Sequence, residues 1–253
     1  MADDVLLETR HLSKEFAGFL AVSDVSLRVR RGAIHALIGP NGAGKTTVFN
    51  LLTRFLPPTQ GVILFKGEDI TRHRPAEIAR KGLVRSFQIS AVFPNLSVLE
   101  NVRVALQRPL GVSFQFWRSE RSLEKLDDRA VEILEAVDLA PYQKQLAVEL
   151  PYGRKRALEI ATTLALDPEL LLLDEPTQGM GHEDVSRVTQ LIQRVAKDRT
   201  VLMVEHNLSV VADLSDTITV LARGSVLAEG AYEEISTNPA VLEAYIGKAE
   251  ADA

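Results

Sequence analysis

The chain has 253 residues, 46% of them hydrophobic and 25% charged, with 29 Lys and Arg against 34 Asp and Glu for a net charge of −5, and it contains no cysteine. This composition fits a globular chain with a sizeable core and excludes a disordered polymer, a disulfide framework, a thiolate zinc site and a thiol nucleophile. The acidic balance offers no general attraction for a polyanion, so no nucleic-acid partner is expected.

The start, Met1-Ala2-Asp3-Asp4, is acidic and lacks the basic-then-apolar order of a secretory leader. No apolar run approaches the ~20 residues that span a bilayer, so a cytoplasmic chain is expected. The opening third reads as short strands with tight turns. Val25 to Val29 alternates apolar and polar side chains, Arg31-Gly32 punctuates, and Ala33 to Ile38 reads as a buried strand. That strand runs directly into Gly39-Pro40-Asn41-Gly42-Ala43-Gly44-Lys45-Thr46-Thr47, after which Val48, Leu51 and Leu52 fall at helical spacing. From about Ile89 to Leu166 the pattern is helical, with Leu123, Leu126, Ala130, Ile133, Leu134 and Val137 recurring at three- and four-residue steps. Leu170 to Leu173 is a short apolar strand, Glu183 to Lys197 a polar helix, and Thr200 to Val204 another strand. Strands alternating with helices predict a parallel α/β sheet. The expected organisation is one unit over residues 1–253, with a helical subdomain at about 89–166 inserted into the core.

Gly39 to Thr46 fits G-x-x-x-x-G-K-[ST]. In this pattern the glycines let backbone N–H groups curl around phosphate oxygens, and the following helix points its positive end inward. Lys45 would reach the β and γ phosphates and Thr46 would offer a hydroxyl to Mg²⁺. Leu170 to Glu175 delivers two carboxylates at the carboxyl end of a buried strand, where open α/β sheets bind ligands. Asp174 suits Mg²⁺, directly or through water, and Glu175 suits a general base that polarises the attacking water. Alone, an Asp-Glu pair after a leucine run is a strand meeting solvent; next to the glycine loop it reads as the second half of a nucleotide site.

These residues resemble the ATP-binding subunits of ABC transporters over nearly the whole chain. The resemblance implies a P-loop NTPase (RecA-like) α/β core with an antiparallel β subdomain and an inserted α-helical subdomain, hydrolysing ATP with Mg²⁺. It also implies roles for further residues. Gln88, in Ser86-Phe87-Gln88, would contact Mg²⁺ and the attacking water. His206 would touch the γ phosphate, and Phe16 would stack on adenine. Leu150-Pro151-Tyr152-Gly153-Arg154 stands in the place of the family signature, which completes the ATP site of a second, head-to-tail copy.

Two departures stand out. Pro151 has neither the hydroxyl of the usual serine nor a backbone donor, and Arg154, in place of the usual glutamine, joins Lys155 and Arg156 in a basic cluster facing the partner's ATP. Gly181, ending Gln178-Gly179-Met180-Gly181, lacks the carboxylate many relatives carry there. The glycine loop, the Val84-Arg85-Ser86-Phe87-Gln88 approach, the Tyr152-Gly153 pair and the ending Ala244-Tyr245-Ile246-Gly247 look most like the ATPases of branched-chain amino-acid importers. Urea or amide importers and the lipopolysaccharide-export ATPase share much of this pattern.

The implied partners are a second ATPase subunit, identical or not, and integral membrane permeases, with a periplasmic binding protein acting indirectly. The chain would then sit peripherally on the inner face of the membrane. Ile89 to Phe93 would line the groove for a short permease helix. Phe114, Phe116 and Trp117 among basic residues read as packing in the helical subdomain. From other classes, a ribosome- or DNA-directed ABC ATPase would bring two cassettes or long coiled coils, which this chain lacks; a non-hydrolysing regulatory module would show no ATPase activity.

Overall fold

The computed structural model describes residues 4–86, 92–108 and 126–246. The chain opens with strands β1 (Val5–Phe16), β2 (Phe19–Val25) and β3 (Arg28–Arg30), then enters β4 (Ile34–Ile38) and helix α1 (Lys45–Leu52). β5 (Gln60–Phe65), β6 (Glu68–Asp69), α2 (Pro75–Arg80) and β7 (Leu83–Ser86) follow. The helices α3 (Val98–Leu106), α4 (Asp127–Ala136) and α5 (Tyr152–Leu164) come next, with 3-10 turns at Ala140–Tyr142 and Ala147–Glu149. The last part is β8 (Leu170–Asp174), α6 (His182–Ala196), β9 (Thr200–Val204), α7 (Leu208–Leu214), β10 (Thr217–Ala222), β11 (Ser225–Gly230), α8 (Tyr232–Ser236) and α9 (Pro239–Ile246).

Among the described residues the strands form two sheets. One is antiparallel, in the order β2-β1-β5-β6 with β3 also on β1; the other runs β11-β10-β4-β9-β8-β7. In the second sheet β10, β4, β9, β8 and β7 are parallel and β11 closes one edge antiparallel. β4, β8 and β9 are buried along their whole length, as strands covered on both faces must be. Their alternation sends side chains into two separate cores. Ile34, Ala36, Ile38, Leu171, Leu173, Val201 and Met203 meet the helices α3 to α7. Leu37, Leu170, Leu172, Leu202 and Val204 meet α1 and the antiparallel sheet. The parallel sheet is thus the middle layer, and a strand of period two is what lets five residues serve both cores.

The alternation expected across Val25 to Val29 is real, with Val25, Leu27 and Val29 all buried, but it spans the end of β2 and the start of β3 rather than one strand. The Thr9 side chain explains the break. Its hydroxyl donates to the Val25 carbonyl at 3.0 Å and accepts from the Leu27 N–H at 2.9 Å, replacing the regular ladder. Helix α4 begins at Asp127; Leu123, where the helical pattern starts, lies outside the described residues, as do Phe114, Phe116 and Trp117.

All five parallel strands point their carboxyl ends at one edge, and the register aligns them. Leu37 of β4 pairs with Val204 of β9, and Val204 with Asp174 of β8. The loops after β4, β8 and β9 therefore leave the sheet side by side.

Candidate active site

β4 ends at Ile38, and the chain turns at once through Gly39, whose φ is +148°. A Cβ at Gly39 would lie 2.1 Å from the Leu221 carbonyl oxygen, so only glycine lets the loop pass so close to β10. The loop is tied by backbone bonds from the Ala43 N–H to the Pro40 carbonyl at 3.1 Å and from the Gly224 N–H to the Ala43 carbonyl at 3.1 Å. Lys45, buried at the start of α1, donates to the carbonyls of Gly39 at 2.6 Å and Pro40 at 3.0 Å. α1 has no side-chain cap and no acidic residue in its first turn. The first turn of α1 thus carries no carboxylate of its own to neutralise its leading N–H groups and the positive end of its dipole.

That cleft, about 380 Å³, is lined by Asn41, Gly42, Ala43, Gly44, Lys45, Thr46 and Thr47, together with Phe19, Ala21, Glu175 and His206. The structure thereby brings the glycine loop, Glu175 and His206 together. Glu175 stands one residue beyond β8 at φ +46°, a conformation rare for a side-chain-bearing residue. Its N–H donates to the Val204 carbonyl at 2.9 Å, which extends the β8–β9 ladder past the strand end. The carboxylate accepts from Nε2 of His206 at 2.8 Å. Asp174, buried, pairs with the Arg85 guanidinium from β7, which also donates to Oδ1 of Asn50 on α1 at 2.6 Å and lies over the Phe49 ring. Arg85 was missed in the sequence; it ties the Asp174 carboxylate to the phosphate-loop helix.

Mg²⁺ can be tested against this donor set. Thr46 is exposed in the cleft, whereas Asp174, one residue before the cleft-lining Glu175, is buried against Arg85; both side chains offer only oxygen. Among the described residues no group of three or more His, Asp or Glu could hold a metal unaided. The residues fit a small hard cation that takes most of its ligands from phosphate and water, the habit of Mg²⁺. Gln88, the third expected contributor, lies outside the described residues, as do Ile89, Ser90 and Ala91.

Two expectations meet a different arrangement. Phe16 does not line the cleft; Phe19, its partner across a two-residue turn at Ala17 and Gly18, does. Phe16 is 42% exposed and carries the Lys14 ammonium over its ring, while Phe19 is 69% exposed. Tyr152, Gly153 and Arg154, expected to serve the ATP of a second copy, do not line this chain's own cleft. Tyr152 is exposed and donates from its hydroxyl to the Gln178 carbonyl at 3.3 Å, and Arg154 lies 4.0 Å over the Tyr142 ring. Pro151 is the N-cap of α5, and Gly181 that of α6. Finally, the basic cluster at 154–156 is not a single surface. Arg156 is buried, pairs with Glu159 at 2.7 Å and donates to the Asp174 carbonyl at 2.9 Å. Its place on the buried face of α5, with a carboxylate three residues on, turns it inward. Glu159 was the legible signal.

A second cavity of about 380 Å³ lies against β7 and α3, lined by Val84, Ser86, Phe93, Asn101 and Val104 among others. Phe93 is exposed there, and Asn101 holds the Phe93 backbone through bonds of 2.7 Å and 3.1 Å.

A phosphate-binding loop, a neighbouring strand-end Asp-Glu pair and a histidine on the next loop define an ATP-hydrolysing cassette. The family model described as "ABC transporter" matches residues 22–178, and the chain belongs to that family. A second model, "Branched-chain amino acid ATP-binding cassette transporter", matches residues 225–251. The chain is 40% identical over 254 residues to the high-affinity branched-chain amino acid transport ATP-binding protein BraF of Pseudomonas aeruginosa, covering 96% of this chain and 98% of BraF. It is 39% identical over 251 residues to LivG of Escherichia coli, a protein of the same description, covering 96% and 98%. An ATP-binding cassette of an ABC transporter solved in its ADP conformation superposes with a TM-score of 0.83 at 31% identity, covering 96% of this chain and 99% of that one. The protein is thus an ATPase of the ABC transporter class, and among the described residues no helix is long and apolar enough to cross a membrane.

Proposed function

We propose that this chain hydrolyses Mg-ATP as one of two ATPase subunits that power uptake of branched-chain or related amino acids through a separate integral membrane permease, with substrate delivered by a periplasmic binding protein. The observation that carries this reading is the division of the motifs. The glycine loop, Glu175 and His206 share one cleft, whereas Tyr152, Gly153 and Arg154 lie outside it. A second copy or a related ATPase, facing head to tail, would bring its own Tyr152 to Arg154 segment to this cleft. The similarity to BraF and LivG supports the substrate class.

In this reading the N–H groups of 42–47 and Lys45 bind the phosphates. Thr46, Asp174 and Gln88 hold Mg²⁺, which when bound draws charge from the phosphate oxygens. Glu175 takes the proton of the attacking water, and His206, hydrogen-bonded to Glu175, senses the γ phosphate and orients that carboxylate. Closing the two chains around ATP completes charge stabilisation and drives the permease, which would dock at the groove around Phe93 on the cytoplasmic side.

The test is Glu175→Gln. Hydrolysis should fall roughly 10²-fold or more while ATP binding persists and an ATP-bound dimer accumulates on size exclusion. Unchanged turnover would remove Glu175 from its role. Uptake by vesicles holding the permeases, competed by leucine, isoleucine and valine, tests the substrate class.

A further inference from the structure

Glu205 is the first residue past β9 and is 2% exposed. Its two oxygens divide their bonds between two loops. Oε1 accepts from the backbone N–H of Thr177 at 3.0 Å and from the Thr177 hydroxyl at 2.6 Å. Oε2 accepts from the backbone N–H of His206 at 2.8 Å and of Asn207 at 3.1 Å. Thr177 belongs to the loop after β8, two residues beyond Glu175, and is buried as well. Asn207 in turn caps α7, accepting from the Ser209 N–H at 3.1 Å. One side chain therefore satisfies four donors, three of them backbone N–H groups, of which that of Thr177 is buried.

The geometry closes a ring. Asp174 and Val204 are the last register pair of β8 and β9, so Glu175 and Glu205 leave the sheet next to each other. From Glu175 the path runs along the main chain to Thr177, across to the Glu205 carboxylate, into the His206 backbone, and back through the imidazole to Glu175 at 2.8 Å. Glutamate has the reach and the two acceptors that the ring needs; a glutamine has one acceptor and presents an NH₂ to the other pair of N–H groups.

We propose that Glu205 is a positioning residue for hydrolysis, a strut that fixes His206 against the Glu175 carboxylate without touching nucleotide. The inference rests on the roles proposed above for Glu175 and His206. Its reach is mechanical: a side chain in a hydrogen-bonded ring sets the orientation of a base, and small misplacements of reacting groups carry large rate penalties.

The experiment compares full-length wild type, Glu205→Gln, His206→Ala and the double variant for kcat, KM and ATP affinity. Glu205→Gln should lower kcat about 10-fold with ATP affinity within about two-fold, because the phosphate loop is untouched. In the His206→Ala background the same change should remove less than about two-fold more, since a strut has nothing left to position. Glu205→Asp, which still reaches the adjacent N–H groups of 206 and 207, should restore part of kcat. A kcat within about two-fold of wild type for Glu205→Gln, or an equal loss in both backgrounds, overturns the inference. Should Glu205→Gln fail to fold, Thr177→Val removes a single donor and should show the same dependence on His206, about three-fold in kcat; an equal loss in both backgrounds again overturns it. A wild-type kcat in His206→Ala alone would instead overturn the role of His206, and this inference with it.

Discussion

The phosphate loop and the start of α5 are both motif segments, and they are held in opposite ways. Around the loop, backbone meets backbone: Gly39 abuts the Leu221 carbonyl, the Ala43 N–H binds the Pro40 carbonyl, and the Gly224 N–H binds the Ala43 carbonyl. At the start of α5, side chains make the contacts: Tyr152 reaches Gln178, Gly153 faces the Asp184 carboxylate, and Arg154 covers Tyr142. Backbone contacts cannot be relieved by a rotamer change, and side-chain contacts can. The first region is a preformed cradle for phosphate, the second an adjustable surface suited to a partner that arrives later.

Two glycine substitutions test that difference most strongly. Gly39→Ala places a methyl 2.1 Å from the Leu221 oxygen at a φ that side-chain-bearing residues rarely adopt. It should cost about 3–4 kcal/mol of folding free energy and abolish nucleotide binding. Gly153→Ala meets the Asp184 carboxylate first, at 2.6 Å, and that carboxylate can swing toward solvent. It should cost less than about 1 kcal/mol. Urea unfolding of both variants decides the matter, and equal costs would erase the distinction.

The contrast also explains how far the sequence could be read. A loop whose conformation is dictated by glycines writes itself in residue types, so Gly39 to Thr47, and the strand-end carboxylates Asp174 and Glu175, were legible from their order alone. Contacts made by side chains between distant segments leave no such mark. Arg85 to Asp174, Phe19 rather than Phe16 at the cleft, and the inward turn of Arg156 each depend on which face a side chain takes after the fold has formed. Thr9 split an alternation that looked like one strand by spending its hydroxyl on two backbone groups.

The cradle has a second, smaller sensitivity that α5 does not share. His35 lies inside β4, four residues ahead of the loop, and donates from Nε2 to the Thr219 hydroxyl at 2.8 Å, which in turn donates to Glu229 at 2.6 Å. Burial pushes its pKa down from 6.5 to about 4. Between those values the unfolded chain binds a proton that the folded chain refuses, so this stability is present above pH 6.5 and is lost as pH falls toward 4. The loss between pH 7 and pH 5 should be about 2 kcal/mol, read from urea midpoints. His35→Gln should flatten that part of the slope; an unchanged slope would place the acid sensitivity elsewhere.

The smallest effect probes the adjustable side directly. Arg154→Ala removes a cation from over the Tyr142 ring, a contact at 4.0 Å on a half-buried surface, and should lower the stability of the isolated chain by about 0.5–1 kcal/mol. Because Arg154 does not line the cleft, ATP affinity of the monomer should stay within about two-fold of wild type, since no phosphate contact within the chain is lost. ATP-dependent self-association, followed by sedimentation in a Glu175→Gln background, should weaken. The decisive number is therefore the monomer affinity: if it falls with the association, Arg154 acts within its own chain and the two regions form one site rather than two complementary halves.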